Sequence, residues 1–585
     1  MRRGNQEINE PVYFHRVVRV LIFPCLLSAF VGYSAQCLGQ SQPAQAMRPR
    51  ARKVVKSRPQ DTPETLLGDR LFFETRFSRY FAVHSNGDVN HSLAEGDPVV
   101  SQVLNPQAKM SYPSRFAGKS INCRTCHFVN EYANSSFQGG TGRAYADFLQ
   151  RSMVPKREDG RTLTVRNARN MVDDFTPRRG ELLLHGDGEF ASVDALVESV
   201  LVGRTFGWLS TEHDEAIHHI AKVIREDDGS DNLGQQYGGS YAKLMLGTDP
   251  DLLAQFRLSS NFRIDVKTAT DQEIVYEVTR LIGAFLKSLQ FEHTSNGTHT
   301  GSAYDMFLAK NNLPPMPASG ESDEAYSQRL LQGLEQLQNP RFVVPDERVL
   351  RFHPHTMQFG ERELAGLKLF LRQGAPSAKS DHSLSHTGNC VRCHPAPDFT
   401  DVHFHNTGAA QEEYDAVHGA GTFAQLHIPS HAERSLDLAR YLPCTASHPQ
   451  GTGIFRSIPS ANNPSATDLG LWNVYANPDY PNVQEPLRKI LCAGGVCDPN
   501  VQLPKTIAMF RTPTLRDLGN SWPYLHTGRM ATTEDVLHFY VQMSGLARAG
   551  KLRNGAPELR AISLDEQDIA ALVAFLRSLD EDYDN

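Results

Sequence analysis

Apolar residues near the end of the chain recur with the period of an α-helix. A capping-box pattern, Ser563-x-x-Glu566, precedes them and is typical of a helix N-terminus. The run ends in the string Ala-Phe-Leu-Arg-Ser-Leu at 574–579. The pattern predicts an amphipathic helix that buries one face. Four residues fall at i, i+3, i+4 and i+7 on that face: Ile569, Leu572, Val573 and Leu576.

The same pattern occurs earlier in the chain. A capping box at Thr270-x-x-Glu273 opens a stretch that ends in Ala-Phe-Leu-Lys-Ser-Leu at 284–289. Each half also has a Gly-x-x-Leu-Phe string well before its closing helix, at 68–72 and at 366–370. Features that recur in the same order indicate an internal repeat of one structural unit.

A third repeated feature indicates which cofactor the chain binds. The strings Cys123-Arg124-Thr125-Cys126-His127 and Cys390-Val391-Arg392-Cys393-His394 are both C-x-x-C-H, the attachment signature of c-type haem. Two thiols at this spacing can add to the two vinyl groups of one porphyrin, and the following histidine then lies under the iron. A zinc site would need a second Cys/His pair near each motif, and a redox pair would not need the histidine. We therefore expect two covalently bound haem c groups, held by Cys123, Cys126 and His127 and by Cys390, Cys393 and His394.

These patterns together predict the fold class and the domains. We expect a mainly α protein with two tandem cytochrome-c-like haem domains, at 60–295 and 342–585, because no run of strands would build a sheet. Residues 296–341 are rich in polar residues, glycine and proline, and they are interpreted as a connector with short helical pieces. Two long irregular loop insertions, at 82–120 and at 408–504, are predicted to be functional or mobile.

Composition narrows the function classes and the compartment. The net charge of the 585 residues is −7 without a long basic run, which argues against nucleic acid as a partner. Nine cysteines are present. Cys492 and Cys497 are close enough in sequence to form a small disulfide loop, which requires an oxidising compartment and leaves Cys444 unpaired.

The N-terminus resembles an export signal. Arg16 and Arg19 precede an apolar stretch at 20–35 that is short for a membrane span and typical of a signal-peptide core. Residues 1–46 are therefore predicted to be a signal peptide or an N-terminal membrane anchor, and the protein is predicted to be periplasmic.

Several further strings resemble the bacterial di-haem cytochrome c peroxidase family, including its MauG-like branch. The resemblance runs from about 67 to 579 and is carried by Leu-Gly-Asp-Arg-Leu-Phe-Phe at 67–73, Phe-Thr-Asp at 399–401, Phe-Arg-Thr-Pro-Thr-Leu-Arg at 510–516 and Pro-Tyr-Leu-His-Thr-Gly at 523–528. In that family the N-terminal haem reacts with peroxide and the C-terminal haem passes electrons. The resemblance implies an enzyme that uses hydrogen peroxide or dioxygen and a small redox protein or another electron donor.

The resemblance also implies further ligands. The distal ligand of the second haem is methionine in the peroxidases and tyrosine in the MauG-like branch, and the corresponding position here is Tyr540. Met543 or Met530 is the alternative ligand. The family holds a calcium ion between its domains with an asparagine side chain and two backbone carbonyls. Asn167 matches the asparagine, and Ser521 and Pro523 match the two carbonyl positions, which are oxygen ligands of the kind that calcium prefers.

The chain departs from the family around the first haem. No histidine lies between His127 and His185, so we expect an open coordination position there without an activation step. The family's pocket glutamine and glutamate correspond to Leu196 and Phe206, which puts ordinary peroxidase catalysis in doubt, because such groups move protons during O–O cleavage.

Other residues are candidates for the missing roles. Glu198 and Glu212 are candidate substitutes for the pocket acid, and Trp208 is a candidate relay between the haems, although a packing role for this tryptophan is the simpler interpretation. The first alternative function is a di-haem oxygenase related to rubber oxygenase, which an apolar pocket favours. The second is a non-catalytic di-haem electron carrier, which an open coordination position argues against.

Overall fold

The computed structural model describes residues 61–98, 119–127, 151–176, 182–350, 353–374 and 386–582, and the backbone of four short strands within 102–141. The signal-like segment with Arg16 and Arg19, together with Cys25 and Cys37, lies outside the described residues. Residues 61–585 cluster as one compact unit. Among the described residues, no helix combines the length and the apolar character needed to cross a bilayer.

The described part of the chain is mainly helical, as predicted. Its first half contains seven α-helices: α1 (Pro63–Phe72), α2 (Arg79–His84), α3 (Val193–Leu201), α4 (His213–Glu226), α5 (Asn232–Gln236), α6 (Tyr241–Leu246) and α7 (Asp271–Ser288). Thr270 caps α7, and it forms a capping box with Glu273 as the sequence predicts. Buried residues between Leu67 and Phe291 form the first hydrophobic core, in which α1 packs along α7.

The second half repeats this arrangement. It contains α8 (Ala303–Lys310), α9 (Asp323–Gln336) and α10 (Glu361–Leu371), and α10 packs along a helix near the end of the chain, Glu566–Arg577. A glycine allows close contact in both helix pairs. A Cβ atom at Gly68 would lie 2.0 Å from the Leu281 carbonyl oxygen, and a Cβ atom at Gly366 would lie 2.0 Å from the Ala571 carbonyl oxygen. Glycine is therefore required where the repeated helices cross.

Two predicted boundaries differ from the structure. The helix Glu566–Arg577 begins after Asp565, whose carboxylate accepts hydrogen bonds from the backbone N–H groups of Gln567 and Asp568, so the predicted capping residue Ser563 lies outside the helix. The predicted connector at 296–341 carries α8 and α9, and both helices contribute buried side chains to the second core, which extends from Ala303 to Leu579.

The later insertion is more regular than its composition suggests. It contains five short helices: α11 (Ala409–His418), α12 (His431–Leu436), α13 (Leu438–Tyr441), α14 (Pro481–Leu491) and α15 (Pro499–Gln502). A third hydrophobic core between Leu183 and Ala508 lies beneath them. Cys492 and Cys497 are disulfide-bonded, which confirms the predicted pairing, and Cys444 is a free exposed thiol.

Besides short 3₁₀ turns, the described part of the chain also contains α16 (Thr533–Arg548), α17 (Glu566–Arg577) and six short strands. The strands form three antiparallel pairs: β1 (Gln102–Asn105) with β2 (Met110–Pro113), β3 (Ser136–Phe137) with β4 (Gly140–Thr141), and β5 (Phe404–His405) with β6 (Phe510–Arg511). The described part of the earlier insertion thus contains β1 and β2. β5 precedes the later insertion and β6 follows it, so the pairing of these strands holds the two ends of the insertion together.

Candidate haem-binding cavity

The two C-x-x-C-H motifs have the same local structure. Each begins with a short 3₁₀ turn, Cys123–Thr125 in the first and Cys390–Arg392 in the second. In each, the backbone N–H of the histidine donates to the carbonyl of the first cysteine at 2.9 Å. The four cysteines are free thiols. This turn brings both thiols and the imidazole of each motif to one side of the chain.

Both motif histidines are held in the form that binds iron. His127 Nδ1 donates to the carbonyl oxygen of Arg169 at 3.2 Å, and His394 Nδ1 donates to that of Phe399 at 2.8 Å. Burial lowers the pKa of His127 to about 4 and also lowers that of His394. Each ring is therefore neutral with its proton on Nδ1, which leaves the Nε2 lone pair available for a metal.

Both motifs open on one large cavity of about 570 Å³. Four cysteine thiols and two imidazoles are part of its wall, and most of the remaining lining is apolar. These are the donors and the surroundings that covalent haem needs. The residues present thus fit two haem c groups.

Residues of the first hydrophobic core form an apolar part of the cavity wall near the first motif. Leu196 and Phe206 line the cavity, as expected from the family comparison. They are 8 % and 2 % exposed, and their hydrocarbon side chains contribute no polar group to the lining. Further apolar residues complete this part of the wall: Val197, Val200, Leu201, Ile282 and Leu286.

Tyr540 lines the same cavity as the second motif. It lies on α16, and Val536 and Leu537 one turn earlier also face the cavity. Burial, together with the neighbouring thiols of Cys393 and Cys390, raises the pKa of the Tyr540 hydroxyl. Met543, the alternative ligand, is 1 % exposed in a separate small core and is not part of the lining.

The three residues expected to hold calcium lie near one another. The side-chain amide of Asn167 donates to the carbonyl of Pro523, and the Asn167 backbone N–H donates to the His526 carbonyl at 2.7 Å. Ser521 and Pro523 line the cavity together with Asn167. An asparagine amide can be turned so that its oxygen replaces its nitrogen, and the group then offers the oxygen donors that a calcium ion takes.

The three candidate catalytic residues lie away from the cavity lining. Glu198 accepts a hydrogen bond from Gln272 at 2.9 Å near the surface. Glu212 is paired with Arg157 at 2.7 Å, and hydrogen bonding to this guanidinium lowers the pKa of Glu212 to about 2. Trp208 is fully buried in the first core and donates to the Phe77 carbonyl at 3.2 Å. Their catalytic roles gain no support from these positions.

A group of buried charges on the cavity wall could not be predicted from local sequence. Arg456 from the insertion binds Asp187 and Glu189, the latter at 2.7 Å. Arg166 is 2.8 Å from Asp187 and 2.6 Å from Asp468, which is also part of the insertion. The insertion therefore contributes Arg456 to the cavity wall, where its charge is paired with Asp187 and Glu189.

One aromatic contact and one polar pair lie in the same region. The rings of Phe510 and His526 are stacked with centroids 3.6 Å apart, and both residues line the cavity. Burial lowers the pKa of His526 to about 3, so the ring is neutral. His185 Nδ1 is 2.6 Å from Glu189 Oε1, and both residues line the cavity. The polar wall next to the first motif is thus formed around His185 and Glu189.

Comparison with known proteins agrees with the motifs. No family model matches the chain. Two cytochrome-c peroxidases of Denitromonas iodatirespirans are similar: IdrP1, 41 % identical over 76 residues (13 % of this chain, 19 % of the relative), and IdrP2, 26 % identical over 192 residues (33 % and 36 %). The matched segments thus span about a fifth and about a third of these relatives. They confirm the resemblance to cytochrome-c peroxidases.

Two solved structures are also similar, each 16 % identical. One is a MauG-like protein associated with microbial copper homeostasis, with a TM-score of 0.40 over 89 % of this chain and 91 % of that chain. The other is the diheme peroxidase BthA from Burkholderia thailandensis E264, with a TM-score of 0.42 over 90 % and 87 %.

Proposed function

We propose that this chain, which resembles the cytochrome-c peroxidases, is an exported di-haem c-type oxidoreductase. Haem one, on Cys123, Cys126 and His127, reacts with hydrogen peroxide or dioxygen, and haem two exchanges electrons with a small redox protein or another donor. The observation that carries the proposal is the single cavity onto which both C-x-x-C-H motifs open. Haem held by these residues would supply an iron that can change oxidation state and react with an oxidant.

The residues around the first motif would form the site at which the oxidant binds. His127 presents Nε2 to the iron because the Arg169 carbonyl holds its Nδ1 proton. Leu196 and Phe206 exclude water from the adjacent wall and offer no group that could move a proton. The part-buried pair of His185 and Glu189, 2.6 Å apart, would offer a proton-exchanging group on this wall.

The residues around the second motif favour electron storage. Tyr540, which lines the cavity together with Cys390 and Cys393, would be the ligand of the second iron, and an anionic phenolate would stabilise ferric and higher states more than a thioether does. The first test is the haem count: pyridine-haemochrome analysis and intact mass should show two covalent haems per chain. A single haem, or bound zinc at either motif, would contradict the proposal.

The second test concerns Tyr540. The Tyr540→Phe variant should shift haem two from low to high spin in its ferric EPR spectrum, whereas Met543→Leu should not. Tyr276→Phe, which changes a tyrosine that is 52 % exposed on α7, serves as the matched control. An unchanged spectrum in Tyr540→Phe, with loss of the low-spin signal in Met543→Leu, would assign the ligand to methionine.

The apolar wall favours a second candidate function. A di-haem oxygenase acting on an apolar substrate would also use an open iron beside Leu196 and Phe206. The reduced haem-loaded protein should be mixed rapidly with hydrogen peroxide or with dioxygen. Fast turnover with peroxide and a reduced cytochrome supports the peroxidase. A reaction with dioxygen alone supports the oxygenase, and two low-spin ferric haems without either reaction support the carrier.

We also include calcium and export in the proposal. Asn167, Ser521 and Pro523 would hold the ion, and its removal by a chelator should alter the EPR spectrum of the haem-loaded protein, with recovery on adding calcium. The Cys492–Cys497 disulfide supports an oxidising, periplasmic location. Cell fractionation of the full-length chain tests this location and also shows whether residues 1–46 are cleaved or retained as an anchor.

A further inference from the structure

Three metal-binding side chains meet away from the haem cavity. His353, His355 and Asp580 place one ligand atom each within 4.8 Å of the others. His355 Nε2 is 2.8 Å from Asp580 Oδ2, and His353 Nδ1 is 3.8 Å from the same oxygen. None of the three lines the cavity of the two motifs. The cluster is therefore separate from the site described above.

These distances suit a single ion. A tetrahedral zinc ion with bonds of about 2.1 Å separates neighbouring ligand atoms by roughly 3.4 Å. The two separations from Asp580 Oδ2, 2.8 and 3.8 Å, lie on either side of this value. Small side-chain rotations are enough to place His353, His355 and Asp580 around one metal.

The second nitrogen of His353 is already held as in a metal ligand. Its Nε2 is 3.0 Å from Asp517 Oδ1 and 3.1 Å from the Glu581 carbonyl, and both of these atoms can only accept a hydrogen bond. Nε2 therefore carries a proton, and Nδ1 faces Asp580 Oδ2 at 3.8 Å. Metal-binding histidines almost always donate their other N–H to a carboxylate or a carbonyl in this way.

Within the described part of the chain, the Nδ1 atom of His353 is left without a hydrogen bond. The side chain is fully buried, and Nδ1 has no hydrogen-bond partner among the described residues. A buried polar atom without a partner is rare and requires an explanation. Gly519 leaves space next to His353 Nδ1 and Asp580 Oδ2. A Cβ atom at Gly519 would lie 2.7 Å from both of these atoms, which is too close for an ordinary contact.

We propose that His353, His355 and Asp580 bind one divalent transition metal ion of the zinc class. Two imidazoles and one carboxylate suit zinc and its neighbours, whereas calcium and magnesium prefer oxygen ligands alone. The ion joins the segment at 353–355 to the end of the chain after α17. It lies beside the turn Leu518–Asn520, which leads directly into Ser521.

Zinc is the probe for the test. Haem-loaded full-length protein is dialysed against a chelator, and zinc binding is then measured by equilibrium dialysis with elemental analysis. We expect one tightly bound zinc per chain, with two imidazole ligands in the zinc-edge X-ray absorption spectrum. His355→Ala should lose this zinc, and Asp517→Asn should bind it about 10- to 100-fold more weakly, because Asp517 orients His353.

Two further variants make the test specific. Gly519→Ala keeps every ligand but fills the adjoining space, and it should also lose the zinc. His386→Ala is the matched control, since His386 lies 2.9 Å from Asp568 in a more exposed cluster of the same residue types. His355 is 21 % exposed, so its variant tests the site even if a His353 variant does not fold. Absence of stoichiometric zinc, or loss of zinc in His386→Ala rather than His355→Ala, would overturn the proposal.

Discussion

The crossing of α10 and α17 should not tolerate a methyl group at Gly366. A Cβ atom there would lie 2.0 Å from the Ala571 carbonyl oxygen and 2.8 Å from the Phe575 Cβ atom. Ordinary contacts of a Cβ begin at about 3.4 Å. The Gly366→Ala variant therefore requires the two helices to separate by about 1.4 Å, because the obstructing atom belongs to the backbone and cannot rotate away.

The expected free-energy change follows from two opposing effects. Overpacking a core costs about 1–3 kcal/mol, and a backbone obstruction places this variant at the upper end, near 3 kcal/mol. Alanine favours a helix over glycine by about 1 kcal/mol, which offsets part of the cost. The net loss in the free energy of unfolding should be about 2 kcal/mol.

Urea unfolding of the haem-loaded protein, followed by circular dichroism and by haem absorbance, measures this loss. Gly545→Ala on α16 is the matched control: a Cβ there meets nothing within 4 Å, so this variant should gain up to about 1 kcal/mol. Phe370 of α10 and Leu576 of α17 line the cavity, so Gly366→Ala should also change the haem-two spectrum. Equal urea midpoints for Gly366→Ala and the unaltered protein would refute the close approach of the helices.

Three further outcomes follow from the structure. Phe206→Glu should raise peroxide turnover at least tenfold by adding a proton-moving group to an apolar wall, whereas Phe206→Leu should not; equal rates would show that the wall does not limit the reaction. Burial acts to raise the pKa of Glu74, but the Arg76 guanidinium outweighs it and lowers the pKa to about 2 from 4.5. The contribution of this carboxylate to stability is thus complete above pH 4.5 and is lost as the pH falls towards 2, so urea midpoints of the unaltered protein should fall with pH more steeply than those of Glu74→Gln. Cys497→Ser should speed proteolysis near Val496, which is 96 % exposed, without changing the global unfolding midpoint, because this loop contributes nothing to a core; a lower midpoint would contradict that placement.

The sequence predicts those parts of the molecule that depend on short-range patterns. The capping box at Thr270 and Glu273 and the helical period after it locate α7 correctly. Near the other repeat, the spacing Ser563-x-x-Glu566 resembles a capping box, but Asp565 reaches two backbone N–H groups and so fixes the helix start two residues later than Ser563 implies. Competition between neighbouring capping residues is decided by geometry that the spacing alone does not contain.

The insertion was harder to predict for a different reason. Its helices are 4 to 11 residues long, and a window of that length contains too few turns for a clear period. Their stability comes from the third core, to which distant residues such as Leu183 also contribute. The contacts of Arg456 with Glu189 and of Asp468 with Arg166 likewise join residues that no local pattern relates.

The pairing of Arg456 with Asp187 has a consequence for the order in which the chain folds. The two residues are 269 positions apart, and bonds with such high contact order form late. At a synthesis rate of about 5–20 residues per second, roughly 13–54 s pass between the appearance of Asp187 and that of its partner. During this interval the first half already contains Arg166, whose guanidinium lies 2.8 Å from Asp187 in the folded chain and can balance its charge. The first half can thus bury Asp187 before the insertion is translated, and Arg456 later adds a second cation to a pair that already exists.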